Sequence, residues 1–181
     1  ERCLYCADAP CIKACPTEID IPTFIKKIAS GNVRGSAQTI FEQNLLGHSC
    51  ARVCPVEVLC VGDCVYNGWG RDPIQIGRLQ RYATQTTTAA GAKKLFTPKA
   101  KTGKKVALIG AGPASLACAG TLALEGHTAV IFEKRPYPGG HYGAYAEQEH
   151  QLQPHHHAPQ RLHVEAHHQL VRLIYPCAPC K

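Results

Sequence analysis

Cys3-Leu4-Tyr5-Cys6-Ala7-Asp8-Ala9-Pro10-Cys11-Ile12-Lys13-Ala14-Cys15-Pro16 is the stretch on which the reading of this chain turns. Its cysteines follow the spacing Cys-x2-Cys-x4-Cys-x3-Cys-Pro. A second block repeats that density as Cys50-x3-Cys54-Pro55, then Cys60-x3-Cys64. Each block carries four thiols and one Cys-Pro, and a cysteine-free segment with helical periodicity separates them.

Iron–sulfur chemistry needs this layout. One tight loop supplies several thiolates to a cubane, and a distant thiolate closes the cage. In two-cluster ferredoxins the cysteine before proline serves the other cluster. Two [4Fe–4S] clusters sharing ligands between the blocks are therefore the expectation. Disulfides fit poorly, because the chain shows no secretory apolar segment and its cysteines lie among helical stretches rather than in a small loop-rich scaffold. Structural zinc usually shows paired Cys-x2-Cys knuckles, and these eight cysteines contain one such pair. Eight buried free thiols in two dense blocks have no structural purpose.

Composition bounds the rest. The chain of 181 residues has room for one domain or two small ones. It contains no Met and begins at Glu1, as expected of a fragment of a longer protein. The net charge is +7, with the basic excess between Lys93 and Lys105, where a solvated linker explains it better than a nucleic-acid surface. No apolar run approaches the roughly 20 residues of a membrane span. Neither nucleic acid nor membrane is an expected partner, and the cysteine usage suits a reducing cytoplasm.

The segment between the blocks reads as helix. Asp20 is placed to cap, Pro22 suits a first turn, and Ile21, Phe24, Ile25 and Ile28 share a face that ends at Gly31-Asn32. A second helix is expected over Val33 to Gln43, burying Ala37, Ile40 and Phe41. A third starts near Pro73-Ile74-Gln75-Ile76-Gly77 and runs through Leu79, Gln80, Tyr82 and Ala83. Nothing before Gly91 alternates like a strand, so residues 1–90 are expected to form an all-α, helical ferredoxin-like cluster domain. Residues 91–104 read as a linker.

The pattern then changes. Lys105-Val106-Ala107-Leu108-Ile109 predicts a strand buried on both sides. Gly110-Ala111-Gly112-Pro113-Ala114-Ser115 follows, then a helix to about Glu125, a Gly126 stop, and a strand Ala129–Phe132 ending at Glu133. Gly110 permits the tight turn, Gly112 admits a pyrophosphate close to the backbone, and the helix start offers free N–H groups. Glu133 is placed to accept hydrogen bonds from a ribose. Ser115 stands where the fingerprint has its third glycine, but strand, helix and acid at these distances make a dinucleotide βαβ unit. Cys118 is expected to pack inside the helix.

Three stretches carry a family resemblance: Glu1-Arg2-Cys3-Leu4-Tyr5-Cys6-Ala7-Asp8-Ala9-Pro10-Cys11, Cys50-Ala51-Arg52-Val53-Cys54-Pro55 and Ile76-Gly77-Arg78-Leu79-Gln80-Arg81. Over residues 1 to about 140 the chain resembles the N-terminal part of dihydropyrimidine dehydrogenase, especially the flavin-bearing subunit of the two-subunit bacterial NAD-dependent enzyme. The glutamate synthase small subunit shares that architecture. The resemblance implies that Cys3, Cys6, Cys11 and Cys64 hold one cluster. It implies that Cys15, Cys54, Cys60 and the amide oxygen of Gln80 hold the other, leaving Cys50 spare. Spacing alone would choose Cys50 over Gln80, which otherwise reads as a surface helical glutamine. The resemblance also implies FAD at Gly110, Ala111, Gly112, Pro113, Ala114 and Ser115, with Glu133, Lys134, Gly139, Gly140 and Val53.

The implied activity is electron transfer: hydride from NAD(P)H to FAD, then single electrons through both clusters to an FMN-containing partner subunit or domain that reduces uracil or thymine. A glutamate synthase partner is the alternative acceptor, against which Gln80 speaks, since those relatives tend to have an acidic residue there. A non-catalytic metal-binding module is the alternative class. No general acid, base or nucleophile is assigned to this chain. Beyond Gly140 the resemblance stops. Residues 141–181 are rich in His, Gln and Pro, with eight of the ten histidines from His141 onward and a Cys177-x2-Cys180 pair. An altered reading frame is the expectation there, ahead of a metal-binding tract. One βαβ unit, read as residues 105–140, cannot cover both faces of a parallel sheet, so weak or absent FAD binding is expected of this chain.

Overall fold

The computed structural model describes residues 2–90, 95–135 and 137–140. The chain divides into two compact units, Glu1–Leu95 and Phe96–Lys181. The readings made for residues 91–94 and for the tail at 141–181 lie outside the described residues.

Every regular element described in the first unit is helical: α1 Pro10–Lys13, α2 Ile21–Ala29, α3 Val33–Gln43, α4 Gly47–Val53, a 3-10 turn Val56–Val58, α5 Val65–Gly68 and α6 Ile76–Ala89. The caps explain the boundaries. The Asp20 carboxylate accepts the Thr23 N–H at 3.1 Å, with Pro22 in the first turn of α2. The Asn32 side-chain oxygen accepts the Gly35 N–H at 2.8 Å and starts α3. Between these helices Gly31 sits at φ 78, a left-handed conformation that glycine adopts without a Cβ penalty.

α2 packs on α3, and α3 and α4 pack on α6. Ile21, Phe24, Ile25, Ile40, Ile76 and Ala83 are buried together at the centre. Polar ties cross the same interfaces. The Ser36 hydroxyl donates to the Phe24 carbonyl at 2.8 Å, and Lys27 Nζ donates to Thr39 Oγ1 at 2.6 Å. Cys60 and Cys64 belong to this core, and Cys3, Cys11 and Cys15 pack against it. The two cysteine blocks thus meet on the wall of a hydrophobic core.

The second unit contains β1 Lys105–Ile109, α7 Pro113–Leu124 and β2 Thr128–Phe132. The strands pair in parallel, Lys105 opposite Thr128 and Ile109 opposite Phe132, and α7 packs on both. Ala111, Ala119, Ala129 and Ile131 form the small core. The apolar run of β1 predicted burial on both sides. Instead its residues alternate between exposed and half-buried, with Ile109 82% exposed. Among the described residues α7 is the one helix against this sheet, so one layer covers one face. Cys118 also departs from expectation: it is exposed on α7 rather than packed.

Phe24, fully buried between α2 and α3, tests this core most sharply. Phe24→Ala is expected to cost about 3–5 kcal/mol in denaturant unfolding of the helical unit. A loss below about 1 kcal/mol would show that the site collapses around the deletion, or that this core contributes little.

Candidate metal centre and dinucleotide turn

The first cysteine block is a loop whose side chains are aimed by one strained residue. Tyr5, between Cys3 and Cys6, has φ 52, which costs a non-glycine residue about 1–2 kcal/mol. The loop is then fastened to the second block. Tyr66, two residues after Cys64, donates its hydroxyl to the Arg2 carbonyl at 2.6 Å. The Arg2 guanidinium lies over the Tyr66 ring at 5.8 Å and donates to the Asp72 carbonyl at 3.0 Å. Asn67 Nδ2 holds the Val61 and Gly62 carbonyls at 2.8 and 2.7 Å, closing the turn that presents Cys64.

As a result, Cys3, Cys6, Cys11 and Cys64 line one cavity whose remaining wall is largely apolar, including Ile21, Ile25 and Ile76. A second set gathers beside it. Cys50, Cys15 and Cys60 lie close enough to act on Cys54 electrostatically. Cys50 and Cys54 are one helical turn apart, Cys54 serving as the C-cap of α4. Asn44 Nδ2 donates to Cys50 Sγ at 3.2 Å while its Oδ1 accepts the Leu46 N–H at 2.9 Å. Among the described residues, no three His, Cys, Asp or Glu side chains are grouped so as to hold a single metal ion. A cubane spreads its thiolates over four iron corners, whereas a structural zinc draws four sulfurs to about 2.3 Å from one ion. Four thiols lining one cavity give the soft donor set that the four iron corners of a cubane take.

Gln80 is 7% exposed, not the surface glutamine that helical periodicity alone suggested. Its amide nitrogen donates to the Gly47 carbonyl at 2.7 Å, tying α6 to the first residue of α4. This joins Gln80 to the helix that carries Cys50 and leads into Cys54. Val53 lies on that helix, 48% exposed.

Burial and neighbouring thiols raise the cysteine pKa values. Desolvation, then the charges of Cys3, Cys64 and Cys60, push Cys11 up to about 12. Desolvation, then Cys15, raises Cys60 to about 11. Desolvation and the adjoining Cys50 lift Cys54 well above the ordinary thiol range. Metal-free, these groups are protonated at neutral pH, and only cations in their midst make several thiolates tolerable together. His48 is shifted down to about 4 by burial and by Arg52 and Arg81, so it is neutral at pH 7.

In the second unit the glycine-rich turn has the form a phosphate needs. Gly110 has φ 86, a Cβ on Gly112 would meet nothing within 4 Å, and α7 starts with Pro113 and no side-chain cap. The N-terminal N–H groups of Ala114 and Ser115 are therefore without a side-chain cap. The Gly139 N–H donates to the Ala111 carbonyl at 2.7 Å, which lays the Gly139–Gly140 turn over the glycine-rich turn. Glu133 accepts the Ala111 N–H at 2.6 Å and the Arg135 N–H at 2.9 Å. These backbone donors, Arg135 first, hold its pKa below the ordinary carboxylate value. Lys134 is exposed beside it.

The thiol shifts carry a pH consequence. A raised folded-state pKa contributes stability that is complete below the unfolded value of 9.0 and is lost as pH rises toward 11–12. In the metal-free chain, ultraviolet thiolate absorbance is expected to develop mainly within that alkaline window, later than in the urea-unfolded chain. Coincident titrations of folded and unfolded chains would contradict the crowded thiol geometry.

The family model "dihydropyrimidine dehydrogenase domain II, 4Fe-4S cluster" matches residues 1–92, and an NAD(P)-binding Rossmann-like domain model matches residues 108–174. The chain is 48% identical over 139 residues to the NAD-dependent dihydropyrimidine dehydrogenase subunit PreT of Escherichia coli (strain K12), covering 77% of this chain and 33% of that protein. The same subunit of Salmonella typhimurium gives the same figures. The glutamate synthase [NADPH] small chain of Halomonas elongata is 40% identical over 139 residues, covering 77% of this chain and 29% of that one. The chain spans about a third of the length of these relatives. Cysteine spacing, helical frame and family match agree: the chain belongs to the dihydropyrimidine dehydrogenase domain II family, a 4Fe–4S cluster domain, followed by a Rossmann-like NAD(P)-binding segment.

Proposed function

We propose that this chain is part of an electron-transfer oxidoreductase subunit. Its helical unit holds two [4Fe–4S] clusters, and its glycine-rich turn binds FAD. In the intact protein, electrons from NAD(P)H reach an FMN-containing partner that reduces uracil or thymine. The observation that carries this reading is the single cavity lined by Cys3, Cys6, Cys11 and Cys64, thiols from two loops far apart in sequence.

Those four cysteines are the proposed ligands of the first cluster. Cys15, Cys54, Cys60 and the Gln80 amide oxygen are the proposed ligands of the second. Clusters supply one-electron steps when bound, and the protein's part is to fix their ligands, charge and burial. Thiols from both blocks lie on the wall of one core, which suits short-range electron transfer. Gln80 contributes a neutral oxygen in place of a thiolate, leaving its cluster one negative charge fewer, and charge is a main determinant of reduction potential. Its Gly47 hydrogen bond fixes the amide nitrogen away from a ligand role.

In the second unit, the Gly110–Ser115 turn would bind the FAD pyrophosphate through backbone N–H groups. Glu133, Lys134, Gly139 and Gly140 are the remaining proposed flavin positions of this unit. The Glu133 oxygens hold the turn against the end of β2 and retain lone pairs for a ribose hydroxyl. We divide the chain into a cluster domain at 1–90, a linker at 91–104, the start of a flavin domain at 105–140 and an aberrant tail at 141–181. Among the described residues two strands and one helix leave a sheet face uncovered, so weak flavin binding and no pyrimidine reduction by this chain alone are expected. A reducing cytoplasm is the compartment such clusters suit.

Ligand replacement tests the assignment. After anaerobic reconstitution, Cys64→Ser and Cys60→Ser are expected to perturb different clusters, seen as two distinct changes in the reduced EPR spectrum. Gln80→Ala is expected to shift one reduction potential, and Cys50→Ser to leave both unchanged. If Cys50→Ser alone removes a cluster while Gln80→Ala changes nothing, the second ligand set is wrong.

A further inference from the structure

The two thiol sets differ in number of donors. The first cavity has four cysteines for the four corners of a cubane. The second region holds four thiols, Cys15, Cys50, Cys54 and Cys60, and the proposed Gln80 ligand, tied to α4 through the Gly47 carbonyl, would make five donors for four corners. Cys50 is not a stray thiol. It is half-buried one helical turn before Cys54, close enough to act on that thiol. Asn44, the residue that ends α3, clamps it from the other side with Nδ2 at 3.2 Å from Sγ. That amide cannot drift, because its oxygen is engaged by the Leu46 N–H at 2.9 Å.

We propose that Cys50 is a reserve thiolate for the second cluster, held by Asn44 beside Cys54 and able to take the corner assigned to Gln80, an inference that rests on the two-cluster reading above. The softness of the donors sets the direction of the preference. Iron–sulfur clusters favour thiolates, and an amide oxygen is a neutral, harder ligand. Gln80 and Cys50 are also mechanically linked. Gln80 holds the Gly47 carbonyl at the first residue of α4, and Cys50 lies three residues along that helix. A loss of the Gln80 contact therefore frees the start of the helix that positions Cys50. In the exchange the Fe–O bond to Gln80 breaks, the Cys50 thiol gives its proton to solvent, and an Fe–S bond forms. No iron changes oxidation state. The site gains one negative charge, which lowers its reduction potential.

The test uses the full chain, reconstituted anaerobically with iron and sulfide. It reads bound iron, reduced-state EPR, and alkylation of individual cysteines by iodoacetamide, mapped by mass spectrometry. In the unaltered chain Cys50 is expected to be alkylated while the proposed ligand cysteines are protected. Gln80→Leu keeps the side-chain volume but has no donor. It is expected to retain the iron of both clusters, to change the EPR spectrum, and to protect Cys50. Gln80→Leu/Cys50→Ser is expected to lose about half of the iron. Asn44→Ala in the Gln80→Leu background leaves every proposed ligand in place but removes the Cys50 clamp, and is expected to lower the retained iron, with far-UV circular dichroism confirming the fold. Loss of the second cluster in Gln80→Leu while Cys50 is intact overturns the proposal. Full iron in the double variant also overturns it, as does protection of Cys50 in the unaltered chain. An unaltered chain that takes up no iron overturns the two-cluster reading itself, before any variant is made.

Discussion

Crowding of thiols against a hydrophobic wall is the constraint from which the helical unit follows. Burial raises the Cys11, Cys54 and Cys60 pKa values, and the neighbouring thiols raise them further. Such a set cannot ionise on its own, so in the bare chain it is a store of protons beside an apolar core. A cationic cluster reverses the balance, because it turns mutual repulsion into shared coordination. Much of the surrounding structure serves to keep the two blocks adjacent despite the 34 residues, 16–49, between them. The Tyr66 hydroxyl on the Arg2 carbonyl, the Arg2 guanidinium on the Asp72 carbonyl, and the left-handed Tyr5 all act to that end. The α2–α3 pair supplies the wall that Cys60 and Cys64 lean on.

The helices with their own signals were legible from sequence. Asp20 and Asn32 each cap the helix that follows, and α3 runs over the Val33–Gln43 stretch that periodicity indicated. β1 likewise covers Lys105–Ile109. Short elements were not legible. α1, α4 and α5 have four, seven and four residues, too few for a period to show, and none has a side-chain cap. They exist because the cysteine loops are held from outside, which no local pattern records. Gln80 illustrates the same limit. Nothing in its neighbours marks a buried glutamine, and its place is set by the Gly47 carbonyl, thirty-three residues away.

Two expectations failed for a common reason. β1 read as a strand buried on both faces, and Cys118 read as a packed helical thiol. Both readings took apolar sequence as a sign of burial. With two strands and α7 described, one face of the sheet has no covering layer, and the Cys118 side of α7 faces solvent. The glycine-rich turn nonetheless has its form, since Ala111 is bonded to Glu133 and Gly139 and Gly110 to the Phe132 carbonyl, all local to the βαβ unit. Turn geometry survives on local bonds, whereas burial of a parallel sheet requires the neighbours that cover it.

Low-temperature EPR with spin counting, alongside iron and sulfide analysis of chain purified without oxygen, tests the central claim most directly. The account predicts a brown protein with iron and sulfide in equal amounts and two interacting reduced-cluster spins per chain. A colourless chain carrying zinc, or no metal at all, would contradict it.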